Sequence, residues 1–288
     1  MVVTVGFFDG VHLGHKKVLR HLTESGEPSV VVTVWPHPRV VLQQGARDLY
    51  LLNTLEEKER LIHSYGIERI ECLKFDTDFA NMTAERFVNE KLVGELGCTH
   101  LVLGYDNRLG SDGLETEDVA ALCRKTGLKV DIVAPCMYED GSISSTRIRR
   151  CLMEGDVTAA ADMLGYRYPL EGIVVAGNRL GRTIGFPTAN IKPAFPLKMI
   201  PVNGVYATEV IVDGKRYRGM TNIGVRPTLG DGNERLIETN IFDFDQEIYG
   251  MEIRINFIAK IRSEQRFSSL EELKAQLEID KHRCYGFN

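Results

Sequence analysis

Two stretches of this chain group side chains as phosphate chemistry would need them. The first is Gly6-Phe7-Phe8-Asp9-Gly10-Val11-His12-Leu13-Gly14-His15, entered from the apolar run Val2 to Val5. Histidines spaced i and i+3 at a helix start lie on one side of its first turn. The free backbone N–H groups and the positive end of the helix dipole point the same way. Gly14 keeps side-chain bulk off the approach. Such a cradle suits the polyphosphate of ATP, with imidazoles donating to oxygens as pyrophosphate leaves. Zinc is a poorer reading, because only Asp9 could join His12 and His15 as a nearby third ligand. The segment is neither a Walker A loop nor a GxGxxG dinucleotide fingerprint.

Three more pieces of the same half support it. Ile143-Ser144-Ser145-Thr146-Arg147-Ile148-Arg149 offers three hydroxyls and two guanidinium groups, and arginine suits bidentate phosphate contacts. Gly104-Tyr105-Asp106-Asn107-Arg108-Leu109-Gly110 leaves a strand as a binding loop would. Trp35-Pro36-His37-Pro38 reads as a rigid turn.

The second stretch is Gly177-Asn178-Arg179-Leu180-Gly181-Arg182-Thr183-Ile184-Gly185-Phe186-Pro187-Thr188-Ala189-Asn190. Its glycines let backbone N–H groups approach phosphates closely. Thr188 and Asn190 face one way in an extended segment, and their oxygens are hard ligands of the kind Mg²⁺ prefers. Downstream, Glu238 is a carboxylate in an apolar strand run, either outward-facing or functional. A base beside a primary hydroxyl is what a small-molecule kinase needs.

The elements that must position these groups fall into two sets. Strands are predicted at Val2–Val5, Val30–Trp35, Ile67–Leu73, Leu101–Leu103 and Lys129–Ala134. Helices intervene: His15–Leu22, one opened by the Thr54–Glu57 capping box through Ile62, one striped by Phe87, Val88 and Leu92, and one by Val119 and Leu122. This order predicts a mostly parallel sheet covered on both faces, with ligands beyond the strand carboxyl ends. A short helix, Asp156 to Met163, marks the change. Strand-like runs follow at 173–176, 205–212, 217–223, 236–242 and 251–259, with Asp213-Gly214 as a hairpin turn. They predict a small antiparallel barrel. Ser268-Ser269-Leu270-Glu271 caps a last helix striped by Leu270, Leu273 and Leu277.

With 288 residues, 43% hydrophobic and 26% charged, the chain is long enough for two cores. Its net charge of −5 argues against general nucleic-acid binding. It shows neither a secretory leader pattern nor an apolar run long enough for a membrane span, so a cytoplasmic location is expected. The six cysteines contain no CxxC pair and read as free thiols.

GFFDGVHLGH, the PHP turn, GYDNRLG and ISSTRIR resemble the adenylyltransferase half of bacterial bifunctional riboflavin kinase/FAD synthetases. GRTIGFPTAN, GVYA at 204–207, NIGVRPT, Glu238 and RSEQRF resemble its kinase half. The resemblance implies an α/β protein: a Rossmann-like nucleotidyltransferase sheet at 1–155, a connector at 156–164, and a six-stranded Greek-key β-barrel at 165–288. It implies riboflavin plus ATP giving FMN and ADP, then FMN plus ATP giving FAD and pyrophosphate, with Mg²⁺. The adenylyl-transfer contacts would be His12 and His15 with Gly6, Phe8, Asp9, Gly14, Asp106, Ser144, Ser145, Thr146, Arg147 and Arg149. The kinase nucleotide would meet Gly177, Gly181, Arg182, Gly185, Pro187, Thr188 and Asn190. Thr188 and Asn190 would hold Mg²⁺, and Glu238 would be the base. Asn107, Arg226 and Phe267 are the expected flavin contacts. The expected partners are small molecules, with no nucleic acid or membrane, in a monomer or weak homo-oligomer. An alternative keeps only the kinase, with the adenylyltransferase weakened, because Asn107 and Leu109 stand where the family carries aromatics.

Overall fold

The computed structural model describes residues 1–42, 49–177, 180–226 and 234–287. They form two compact units, Met1–Ser145 and Thr146–Asn288.

The first unit is built on a parallel sheet of β1 (Val2–Val5), β2 (Ser29–Trp35), β3 (Arg69–Lys74), β4 (His100–Gly104) and β5 (Lys129–Val133). The spatial order is β3-β2-β1-β4-β5. The central strand β1 pairs Val3 with Val30 on one side and Leu101 on the other. Strands buried on both faces need nearly continuous apolar runs, which is how β1, β2 and β4 read. One apolar cluster forms around Val3, Val30 and Leu101, and another around Val2, Val31 and Val102. Helix α1 (Leu13–Glu24) adds Val18, Leu19 and Leu22 to the second cluster, as its stripe predicts. Helix α2 (Leu55–Ser64) has both capping-box bonds, Glu57 N to Thr54 Oγ1 at 3.1 Å and Thr54 N to Glu57 Oε2 at 2.9 Å.

One helix differs in kind. Phe87–Glu95 is π-helical, although Phe87, Val88 and Leu92 are buried as expected. A five-residue step from Phe87 to Leu92 keeps one face in a π-helix, and Leu96 N donates to Lys91 O at 3.1 Å in that pattern.

The hydroxyl-and-arginine segment, to which the sequence reading assigns no element, opens a helix. Helix α3 (Ser145–Glu154) begins with Ser145 in the first unit, and Ile148 and Leu152 are buried one turn apart. Helix α4 (Val157–Leu164) follows and ends at Gly165 with φ +76°. Then come β6 (Pro169–Val175), the single-turn helix α5 (Leu180–Thr183), β7 (Ala189–Pro193), β8 (Gly204–Val212), β9 (Lys215–Arg226), β10 (Glu234–Ile241) and β11 (Glu252–Arg262). The strands close a six-stranded barrel in the order β6-β7-β10-β9-β8-β11, every pairing antiparallel. Asp213 and Gly214, with φ +48° and +73°, make the β8–β9 hairpin, as a primed turn requires.

Alternation separates the barrel's two faces. Inside lie Tyr168, Tyr206 and Phe257, with the buried hydroxyls of Thr208, Thr221 and Thr239 linked at 3.0 and 2.9 Å. The other face carries Val205, Ala207 and Met220, which pack against Cys284 and Leu277 of α6 (Leu270–Tyr285). The cap of α6 is Ser269, accepting from Glu272 N at 3.1 Å, one residue beyond the expected pair. Leu273 and Leu277 are partly covered, whereas Leu270 is 49% exposed and leaves the predicted stripe.

Candidate functional site

The strand β1 delivers the chain to a turn of unusual backbone. Phe8, Gly10 and Val11 have φ +48°, +84° and +35°. The turn is pinned by Asp9, whose Oδ1 accepts from Leu52 N at 2.9 Å and Asn53 N at 3.3 Å. Ser145 Oγ donates to Asp9 O at 2.7 Å, which brings the start of α3 to this turn. His12 caps α1: its Nδ1 accepts from His15 N at 3.3 Å. The two rings stack at 3.7 Å, and Phe8 lies 5.1 Å from His15. Burial lowers the His12 pKa to about 4, and burial with His12 and Lys58 nearby drives His15 well down. Both rings are therefore neutral near pH 7. Because Nδ1 of His12 accepts, its proton sits on Nε2, leaving a neutral donor for an oxyanion.

The third motif forms the end of β4 and a small hairpin, Arg108–Leu109 with Leu114–Glu115. Thr116 Oγ1 braces it through Gly104 O and Asn107 O, both at 3.1 Å. Asp106 is exposed there.

In the barrel, register assembles a second site. Asn190 on β7 pairs with Glu238 on β10, which pairs with Asn222 on β9. Asn222 pairs with Val205 on β8, and Val205 with Arg262 on β11. All five side chains line one cavity of about 450 Å³, with Thr188, Phe267, Leu273 and Leu277. A second cavity of about 460 Å³ is lined by Arg182, Pro187, Thr188 and the 244–249 segment. Thr188 borders both. The glycines explain the close fit. A Cβ on Gly177 would overlap the Asn190 carboxamide, and one on Gly181 would overlap Phe186 O. Asn240 Nδ2 donates to Pro187 O at 2.6 Å and fixes the approach to Thr188.

Two family models divide the chain between these sites. Residues 1–147 match FAD synthetase and 164–287 match riboflavin kinase. A Bacillus subtilis (strain 168) protein named bifunctional riboflavin kinase/FMN adenylyltransferase is 38% identical, covering 99% of this chain and 92% of its own. This chain belongs to that bifunctional family.

The protein of the same name from Escherichia coli (strain K12) is 39% identical over 97% of this chain and 90% of its own. A solved structure from Streptococcus pneumoniae, described as a macrolide-efflux protein, is 35% identical with a TM-score of 0.92, covering 100% of this chain and 94% of that one. Among the described residues here, no helix is long and apolar enough to cross a membrane.

Of the predicted residues, Gly6, Phe8, Asp9, His12, Gly14, His15, Ser144 and Ser145 lie in the first unit around the β1 turn and the start of α3. Asp9 holds backbone with its carboxylate. Thr146, Arg147 and Arg149 belong to α3 within the second unit. Asn107 donates from Nδ2 to Val5 O at 2.8 Å, and Leu109 packs against the sheet's apolar cluster. Gly185 has φ +85° in the turn before Phe186. The side chain of Arg226, and residues Asn178 and Arg179, lie outside the described residues.

Sequence reasoning missed Asn222 and Arg262 as cavity walls, although both stand in the motifs it quoted, because only strand register shows what they face. It also missed Lys58, which falls one turn before Ile62 on the buried face of α2.

Proposed function

We propose that the barrel unit phosphorylates riboflavin and the sheet unit adenylylates the FMN so formed, giving FAD. The assignment places adenylyl transfer in 1–155 and kinase chemistry in 165–288, with 156–164 connecting them.

In the kinase reaction the flavin occupies the cavity walled by Glu238 and roofed by Leu273 and Leu277, and ATP takes the cavity beside Arg182 and Pro187. The observation that carries this reading is Thr188, which lines both cavities. A phosphoryl group passing from nucleotide to flavin must cross such a shared wall. Glu238 accepts the proton of the ribityl hydroxyl as its oxygen bonds to the γ-phosphorus of ATP and ADP departs. Asn190 and Asn222 flank Glu238 and orient it. Gly177, Gly181 and Gly185 keep the nucleotide loop close.

Thr188 and Asn190 are hard oxygen donors on one wall. Among the described residues, no cluster of three or more His, Cys, Asp or Glu could hold a metal alone. That donor set fits Mg²⁺, which retains waters and shares substrate phosphates. Bound there, Mg²⁺ would neutralise phosphate charge.

In the second reaction an oxygen of the FMN phosphate bonds to the α-phosphorus of ATP, and the bond to pyrophosphate breaks. His12 and His15 donate to the phosphates as neutral imidazoles. Gly6, Phe8, Gly14, Asp106 and the Ser144–Arg149 segment border the nucleotide. Asn107 is the proposed flavin contact in the sheet unit, Phe267 and Arg226 those in the barrel unit, and the protein works as a cytoplasmic monomer or weak oligomer.

Supplying riboflavin, ATP and Mg²⁺, then FMN, ATP and Mg²⁺, tests both steps by chromatography of flavins and by pyrophosphate release. FMN without FAD in both incubations would leave a kinase alone.

A further inference from the structure

Lys58 is 3% exposed at the core-facing side of α2. Its Nζ reaches Thr33 Oγ1 at 3.4 Å and lies 5.5 Å from the centre of the Trp35 ring. Among the described residues, no carboxylate lies within ion-pair distance of it. The charged and titratable groups around it are His15 on α1, Asp9 in the β1 turn, Cys72 on β3 and Glu59 on its own helix. Asp9 already uses Oδ1 for Leu52 N and Asn53 N.

A buried ammonium without an anion is costly, and a hydroxyl and an aromatic face offset only part of that cost. A methionine would fill the same space without the penalty. Burial disfavours the Lys58 ammonium and holds its pKa below the usual lysine range; an anion arriving beside it would restore the charged form, in surroundings where water screens the attraction little. Thr33 Oγ1, which Lys58 reaches, also donates to Phe7 O at 3.5 Å, so Lys58 stands one residue behind the β1 turn that carries the His12–His15 cradle, and its charge is felt at His15.

We infer that Lys58 is a positioning residue for adenylyl transfer, a buried counter-charge for the substrate phosphates gathered at His12 and His15. This rests on placing adenylyl transfer at that cradle. The phosphate could be the pyrophosphate part of ATP or the phosphate of FMN, and the kinetics separate them.

The test uses the full chain with Lys58→Met, Lys58→Arg and His12→Ala, each assayed for both activities. Lys58→Met should lower adenylyl transfer about 100-fold, as removal of one charge-stabilising group does, and leave riboflavin phosphorylation unchanged. Lys58→Arg should recover part of the loss, since charge rather than apolar fit is what matters. In the reverse reaction of FAD with pyrophosphate, a raised KM for pyrophosphate assigns Lys58 to that part of ATP. A lowered kcat at unchanged KM assigns it to the FMN phosphate side. Adenylyl transfer within threefold of wild type in Lys58→Met, or Lys58→Met more active than Lys58→Arg, overturns the inference. Undiminished transfer in His12→Ala would instead remove the site assignment beneath it.

Discussion

Glu238 has one strand neighbour on each side, Asn190 and Asn222, in a cavity wall. Glu238→Gln keeps the size and removes the base. FMN formation from riboflavin should fall by about 10²- to 10⁴-fold, while FAD formation from supplied FMN persists. A kinase rate within tenfold of wild type would assign the proton to another acceptor. The histidines make a prediction of another kind. His12 titrates at about 4 in the folded protein against 6.5 ordinarily. At neutral pH and above, the ring is uncharged whether folded or not. Below 6.5 the unfolded chain takes the proton first, so stability falls with falling pH until about 4, by roughly 3 kcal/mol in all. His15 shifts the same way and steepens the loss. The one tryptophan, Trp35, lies in the first unit and can report its unfolding in urea. Between pH 7 and 4.5 its midpoint should drop, and less so in His12→Asn. Equal slopes would exclude the buried neutral imidazole as the cause.

Besides its apolar packing, helix α6 is tied to β11 by a buried ion pair beside the cavity proposed for the flavin. Arg262 Nε donates to Asp280 Oδ2 at 2.7 Å, and Gln276 Nε2 donates to Oδ1 at 2.9 Å. Asp280 is 0% exposed, and Arg262 also lies 5.7 Å from the Phe267 ring. Asp280→Asn leaves Arg262 without its anion, a loss of about 3–5 kcal/mol for a buried pair. Because Leu273 and Leu277 border the cavity with Glu238 and not the one beside Arg182, riboflavin KM should rise well above any change in ATP KM. Equal rises in both would mean that the helix serves the barrel as a whole. These elements also show what the sequence could disclose. The inner sheet strands β1, β2 and β4 were legible because burial on both faces demands unbroken apolar runs. The capping box at Thr54 was legible because its bonds are local. Strand β7 was missed because Pro187 and Pro193 frame a run of only five residues. Helix α3 was missed because hydroxyls and arginines mask the Ile148–Leu152 stripe. The row from Asn190 to Asn222 depends on the register of three strands, which no local pattern carries, and Lys58 looked like one more charge on a capped helix.

At the scale of the whole chain, each compact unit contains its own set of proposed phosphate-handling groups. The β1 turn, its Asp9 pins and the Ser145 contact are all internal to the first unit. Thr188, in turn, is fixed by Asn240 and Gly181 within the second. Single substitutions should therefore separate the reactions. His12→Ala should convert riboflavin to FMN and stop there, with FAD formation reduced about 100-fold. Thr188→Ala should fail on riboflavin but still make FAD from supplied FMN. Mixed in solution with riboflavin, ATP and Mg²⁺, the two variants should make FAD after a lag, because FMN released by one is substrate for the other. A lag that shortens as total protein rises would identify FMN in solution as the intermediate. Loss of both activities in either folded variant would mean that the two ATP-dependent steps share one site, and would overturn the two-site proposal.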